Sequence, residues 1–158
     1  FKSGLTACAS LVLSGFDTHG NHNTDQSRSV LKLLGGLDYV LTEAERQGLG
    51  TNLYVIVTSD FGRGPQYNGE NDRAGKDHWP VTSMLASGPG IQGGRVVGAT
   101  DAAQLAATLD PSSLLPTEGG EKLTPERIHM ALRKVAGIAE EALVKEYPLA
   151  GESMPIFG

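Results

Sequence analysis

The sequence has little cysteine, no excess of positive charge and no long hydrophobic run. Cys8 is the only cysteine among 158 residues, which excludes a disulfide framework and a thiolate metal site within this chain. The formal net charge is -5 and no run of Lys or Arg occurs, which argues against a general nucleic-acid-binding protein. No apolar stretch reaches the roughly 18 to 20 residues that span a bilayer, so we expect no membrane span.

Several motifs of common enzymes are missing as well. The chain has no Gly-x-Gly-x-x-Gly after a strand, no Gly-x-x-x-x-Gly-Lys-Ser/Thr, no Gly-x-Ser-x-Gly and no His-Glu-x-x-His. A serine hydrolase stays possible in principle, although no serine has a supporting context. The 20% charged and 39% hydrophobic fractions are typical of a folded globular chain, and 158 residues suffice for a core.

Apolar patterning predicts a single α/β domain over residues 1–158. Residues 9–13 are predicted to form a buried strand, and residues 53–58 another strand that is buried on both faces. Between them, apolar residues at helical spacing predict a long helix with Thr24 as N-cap and Gly48 as its stop. This order favours a right-handed crossover with the two strands parallel.

The remainder of the chain contains fewer regular elements. The glycine-rich segment 61–76 is long for a loop in a compact domain, which indicates a functional or mobile loop. Short strands are predicted at residues 81–86 and 95–97, and Thr124-Pro125 predicts the start of a helix. Residues 139–158 are predicted to be an irregular tail.

Acids and histidines are concentrated where predicted strands end. Three of the four histidines fall in the segments Gly15–His22 and Lys76–Pro80, and an acid ends the segment Val55–Asp60. Ligands of α/β sheets bind outside the carboxyl ends of strands, and carboxylate with imidazole is a composition that binds zinc, manganese or iron. The candidate metal ligands are Asp17, His19, Asp60 and His78, with His22 and Asp77 as weaker candidates.

Each segment taken alone also has an ordinary structural interpretation. Asp17 would cap a turn beside solvated imidazoles, Asp60 would be a turn or N-cap carboxylate, and His78 would form a satisfied polar pair with its neighbouring acid. Arg63 is a candidate contact for a phosphate, sulfate or carboxylate, and a surface salt bridge is the equal alternative. His129 is interpreted as structural or exposed on its helix. Only the three segments together predict a divalent metal site.

These segments resemble the successive signatures of the DUF1501 proteins, which belong to the alkaline phosphatase and sulfatase-like superfamily. The resemblance covers roughly residues 11–137, in the same order and spacing, and corresponds to the C-terminal part of such a protein. The segments that carry it are Gly15-Phe16-Asp17-Thr18-His19-Gly20, Thr58-Ser59-Asp60-Phe61-Gly62-Arg63, Asp77-His78-Trp79-Pro80 and Gly94-Arg95-Val96-Val97-Gly98-Ala99-Thr100-Asp101.

The resemblance implies an alkaline-phosphatase-like three-layer sandwich with a mostly parallel sheet, of which this chain forms the C-terminal part. Asp17 and His19 resemble the acid and histidine of the first C-terminal metal motif, Asp60 the acid of the second, and His78 the histidine of the third. Phe61 stands where superfamily phosphatases usually have a histidine, and the family more often has glutamate at position 60. The superfamily nucleophile lies in an N-terminal half, so the resemblance implies that the nucleophile is outside this chain.

Two functional hypotheses follow from the resemblance. The first is a metal-dependent, hydrolase-like domain that acts on a small phosphate or sulfate ester, with zinc, manganese or iron as the metal. The second is a non-catalytic structural or binding protein that keeps the fold. We also expect export to the periplasm or beyond, as in many members, and self-association or pairing with a missing N-terminal half.

Overall fold

The computed structural model describes residues 1–158, which form two compact units, Phe1–Pro89 and Gly90–Gly158. The single-domain organisation expected from sequence stays a prediction. The elements in chain order are α1 (His22–Arg46), β1 (Val55–Val57), β2 (Gly62–Arg63), β3 (His78–Trp79), β4 (Leu85–Ser87), α2 (Pro125–Val135) and α3 (Ala142–Lys145).

The long helix predicted after the first motif is confirmed as α1, which starts three residues earlier than expected. Asn21, in the left-handed conformation with φ 48°, is its N-cap, and Thr24 lies within the first turn. Asparagine adopts this conformation more readily than other non-glycine residues, which lets the chain turn sharply into the helix. Gly48 follows the C-cap with φ 73°, so the predicted stop is confirmed.

The strands of the first unit form two antiparallel pairs. β1 pairs with β4, with Val55 opposite Ser87 and Val57 opposite Leu85. β2 pairs with β3. The predicted strand at residues 9–13 is wrong, because this segment pairs with no other strand and exposes its apolar side chains, Val12 being 97% exposed. An apolar run forms a stable strand only where a neighbour satisfies its backbone groups.

The three-layer sandwich with a mostly parallel sheet stays a prediction. Within the first unit, α1 also exposes much of its apolar side, including Leu31 and Leu34. Exposed apolar surface of this kind is typical of proteins that associate with a partner. Self-association or pairing with another chain segment stays a prediction as well. No helix is both long and apolar enough to cross a membrane.

The second unit is built around buried apolar residues and α2. Thr124 caps α2 through an oxygen that accepts from the Arg127 amide, and Pro125 is the first helical residue, as predicted. The strand predicted at residues 95–97 is absent. The predicted irregular tail, 139–158, contains the one-turn helix α3, and its last residues are packed rather than free. The buried apolar residues of this unit are Leu109, Leu114, Ala131, Met154, Ile156 and Phe157.

Candidate metal centre

The loop before α1 holds Asp17 and His19 outward by burying the residue between them. Thr18 is buried, its Oγ1 lies 2.7 Å from His22 Nδ1, and its carbonyl accepts from the Lys76 amide at 3.1 Å. The Thr18 amide donates to the Phe16 carbonyl and the His19 amide to the Asp17 carbonyl, so the loop turns tightly here, and Asp17 and His19 are exposed on either side of the buried Thr18. This explains why the two candidate ligands, separated by one residue, face the same space.

The antiparallel pair of β2 and β3 brings the second and third motifs to the same place. Arg63 is directly opposite His78 in this pair, and directly opposite residues place their side chains on the same face. The backbone of β2 lies so close to that of Val81 that position 62 requires glycine, because a Cβ there would overlap the Val81 carbonyl. The pairing of β2 with β3 therefore places the side chains of Arg63 and His78 next to each other on one face.

The glycine-rich loop is fastened to the first motif through its backbone. The Asn21 amide donates to the Arg73 carbonyl at 2.8 Å, and Gly20 forms a bridge with Ala74. Gly75 is buried, and a Cβ there would overlap the His19 carbonyl group. The loop thus lies directly against the backbone of a candidate ligand, which only glycine permits.

Asp17, His19 and His78 form a cluster that could hold a metal ion. Asp17 Oδ1 lies 3.1 Å from His19 Nε2 and 2.9 Å from His78 Nε2, and one ligand atom of each residue lies within 4.8 Å of the others. All three side chains are exposed. The structure therefore brings together three of the four main ligands that the sequence predicted.

Arg63 also contacts the cluster, and its hydrogen-bond acceptors are groups of the same chain. Its Nη2 donates to Asp17 Oδ1 at 2.5 Å and to the Phe16 carbonyl at 2.9 Å. Its Nε donates to the same Phe16 carbonyl, and its Nη1 donates to the Lys76 carbonyl at 2.6 Å. With a side chain only 10% exposed, it keeps one of five N–H donors for an outside group. The anion contact proposed for Arg63 stays a prediction.

The charge arrangement favours an ionised carboxylate at the centre of the cluster. The hydrogen bond from Arg63, followed by that from His78 and the nearby charge of His19, lowers the pKa of Asp17 from 3.8 to about 2. An ionised carboxylate is the form that binds a cation, but the same oxygen already has a cationic partner in Arg63. The cluster is consistent with a metal site and with a metal-free ion-pair network.

Two further side chains contact the imidazoles. The Phe61 ring stacks on His78 at 3.8 Å between centroids, with the planes 9° apart. Asp77 Oδ1 lies 3.1 Å from His19 Nδ1 and 3.2 Å from Asn68 Nδ2. The Asn68 hydrogen bond, then that of His19, lowers the pKa of Asp77. Sequence reasoning missed Asn68, whose only signal was its position in the long glycine-rich loop.

The other candidates lie outside the cluster. Asp60 is exposed and is not one of the three clustered ligands, so its ligand role stays a prediction. His22 begins α1 and contacts Thr18 and the edge of the Tyr67 ring, and burial lowers its pKa. His129 is exposed on α2. Asp60 and His22 are therefore not part of the Asp17 cluster, and His129 was not a candidate ligand.

Comparison with known proteins gives one result that covers most of the chain. Residues 5–117 match the model of a family described as "Protein of unknown function (DUF1501)". No curated protein and no solved structure matches the chain. The matched range includes all the residues of the Asp17 cluster and the loop that lies against it. The chain therefore belongs to the DUF1501 family.

Proposed function

We propose that this chain carries the metal-binding part of a hydrolase-like domain that acts on phosphate or sulfate esters. The observation that supports the proposal most is the cluster of Asp17, His19 and His78. Membership of the alkaline phosphatase and sulfatase-like superfamily, its three-layer sandwich and export from the cytoplasm belong to the same proposal. These parts of the proposal are supported by the four motifs between residues 15 and 101 that resemble the family signatures.

The donor set fits a divalent transition metal. Ligand atoms about 2.1 Å from a tetrahedral zinc lie about 3.4 Å from one another. The carboxylate oxygen of Asp17 lies 3.1 Å from one imidazole nitrogen and 2.9 Å from the other, so these pairs need only small shifts. One oxygen and two nitrogens leave an open position on zinc, and the same donors suit manganese or iron.

The residues of the chain have defined roles in this proposal. Asp17, His19 and His78 hold the metal, while Arg63 ties the carboxylate to the backbone of the two adjoining segments. When bound, a metal of this kind polarises an ester oxygen and lowers the pKa of bound water. The exposed ligand side chains leave the centre open to a small anionic ester.

A second function has its own supporting observation. Arg63 already neutralises Asp17, so the cluster is a complete ion-pair network without a metal. Structural proteins also contain such networks, and Phe61 stacks on His78 where superfamily phosphatases usually have a ligand. The alternative is a non-catalytic structural or binding protein that retains the fold.

Zinc binding by purified protein distinguishes the two functions. We expect near-stoichiometric zinc in competition with a chromogenic chelator, and a loss of at least tenfold in affinity for His78→Ala, because one of three ligands is gone. His129→Ala is the matched control, since it removes an exposed histidine far along the chain from the cluster, and it should bind zinc like the wild type. Absence of zinc, manganese and iron binding by the wild type would reject the hydrolase in favour of the alternative.

A further inference from the structure

We propose that Asp77 is a positioning residue that fixes the proton of His19 on Nδ1 and so presents Nε2 to the metal. This inference rests on the proposed metal site and adds a residue to it. Asp77 had been a weaker candidate for a metal ligand. Its place in the structure assigns it a different role.

The two nitrogens of the His19 ring face two different carboxylates. Nδ1 lies 3.1 Å from Asp77 Oδ1, and Nε2 lies 3.1 Å from Asp17 Oδ1. The ring therefore separates Asp77 from the Asp17 side, where the other ligand atoms meet. Asp77 is placed to accept a proton from the far nitrogen of His19, as carboxylates do behind many metal-bound histidines.

The partners of the two carboxylates favour one position of the proton. Asp17 Oδ1 already accepts from Arg63 and contacts His78, so it is the poorer acceptor for a third N–H. Asp77 Oδ1 has only the amide of Asn68 besides the His19 ring. In a neutral imidazole one nitrogen carries the proton and the other is free to bind a metal. Protonation at Nδ1 thus leaves the Nε2 lone pair directed toward the cluster.

Asn68 holds Asp77 and His19 in this relation. Its Nδ2 donates to the His19 carbonyl at 3.1 Å and to Asp77 Oδ1 at 3.2 Å. Its Oδ1 in turn accepts from the Gly75 amide at 2.8 Å. One amide side chain therefore links the backbone of the candidate ligand, its carboxylate partner and the glycine-rich loop. The long loop, whose length indicated a functional or mobile segment, has a specific role in this inference.

The size of the effect follows from the exposure of the pair. The Asp77 side chain is 72% exposed, so water can replace part of its hydrogen bond to His19. Loss of a carboxylate behind a metal-bound histidine weakens metal binding by about 10- to 100-fold. For this exposed pair we expect the lower end, roughly tenfold weaker zinc binding in Asp77→Ala.

The test combines zinc affinity with the tautomer of His19. In metal-free protein, well above the titration range of imidazole, ¹⁵N–¹H correlation spectra of the rings should show His19 with its proton mainly on Nδ1. Asp77→Ala should shift His19 toward the Nε2–H form that free histidine prefers and should weaken zinc binding about tenfold. Asp77→Asn, which keeps an acceptor oxygen, should restore much of both. Asp72→Ala removes an exposed acid from the same loop and should change neither.

The possible results separate this inference from the proposed function. If the wild type binds zinc and Asp77→Ala binds it with equal affinity, the positioning role is overturned while the metal site stands. The same conclusion follows if Asp77→Ala binds zinc more weakly but leaves the His19 tautomer unchanged. If the wild type does not bind zinc, the proposed function has failed and the inference fails with it. Circular dichroism identifies an unfolded variant, and if Asp77→Ala is unfolded, Asp77→Leu, which also lacks an acceptor oxygen, takes its place in the comparison with wild type.

Discussion

Replacement of Arg63 by methionine removes the cation that joins three segments of the site while keeping most of the side-chain length. Its guanidinium donates to the carbonyls of Phe16 and Lys76 and to the carboxylate of Asp17. Each hydrogen bond lost to these carbonyls costs about 1 kcal/mol, although the Phe16 carbonyl keeps the Thr18 amide as a donor. The ion pair with Asp17 adds little to this loss, because that carboxylate is 62% exposed and water screens the interaction. We expect a total loss of about 2 to 3 kcal/mol.

Urea unfolding followed by circular dichroism measures this loss. With a slope of about 2 kcal/mol per molar urea, the unfolding midpoint should fall by about 1 to 1.5 M. Arg28→Met is the matched control, because Arg28 forms an exposed ion pair with Asp25 within α1, and it should change stability by less than about 0.5 kcal/mol. Equal midpoints for the two variants would refute the conclusion that Arg63 anchors the site.

Two further predictions concern the remaining parts of the chain. Gly36 lies inside α1 and a Cβ there would contact nothing within 4 Å, so Gly36→Ala should stabilise the protein by about 1 kcal/mol, measured by urea unfolding; destabilisation would indicate a partner packed on this position. Hydrogen bonds from the backbone of Ser113 and from neighbouring amides and hydroxyls lower the pKa of Asp110 well below its usual 3.8. A lowered folded-state pKa gives stability that is present above the unfolded pKa and lost as the pH falls below it. Wild type should therefore lose more stability than Asp110→Asn on acidification below about pH 4; parallel pH profiles would contradict this assignment.

The helices could be predicted because their signals are local. α1 and α2 have apolar residues at helical spacing, and Thr124 with Pro125 forms a start signal that needs no distant partner. The N-cap of α1 was placed at Thr24 because its side chain suits that role, whereas the sharp turn of the preceding loop places Asn21 there. Local sequence preference determines that a helix forms, whereas the direction of the incoming chain determines which residue begins it.

The strands were harder because a strand depends on residues far along the chain. Residues 9–13 have the apolar character of a buried strand, yet no neighbour pairs with them in the first unit. The strand β1 was predicted, but its partner β4 is antiparallel, whereas a parallel partner was expected. The order of apolar runs does not specify which edges meet when alternative pairings exist.

The three clustered residues of the candidate site could be predicted from the sequence, whereas the contacts that support them could not. Asp17, His19 and His78 stand out by residue type and by position in short motifs. The contacts of Arg63 with two backbone carbonyls could not be predicted, because main-chain acceptors have no sequence signature. The role of Asn68 could not be predicted for a similar reason, since a polar residue in a long loop has many possible partners.

X-ray absorption at the zinc edge tests the central claim most directly, because it counts the imidazoles bound to the metal. For zinc-loaded wild type we expect nitrogen and oxygen ligands at about 2.0 to 2.2 Å with the multiple scattering of two imidazoles. His78→Ala should retain one imidazole, and His129→Ala should retain two. Fewer than two imidazoles in the wild type, or no change in His78→Ala, would contradict the assignment of Asp17, His19 and His78 as the metal centre.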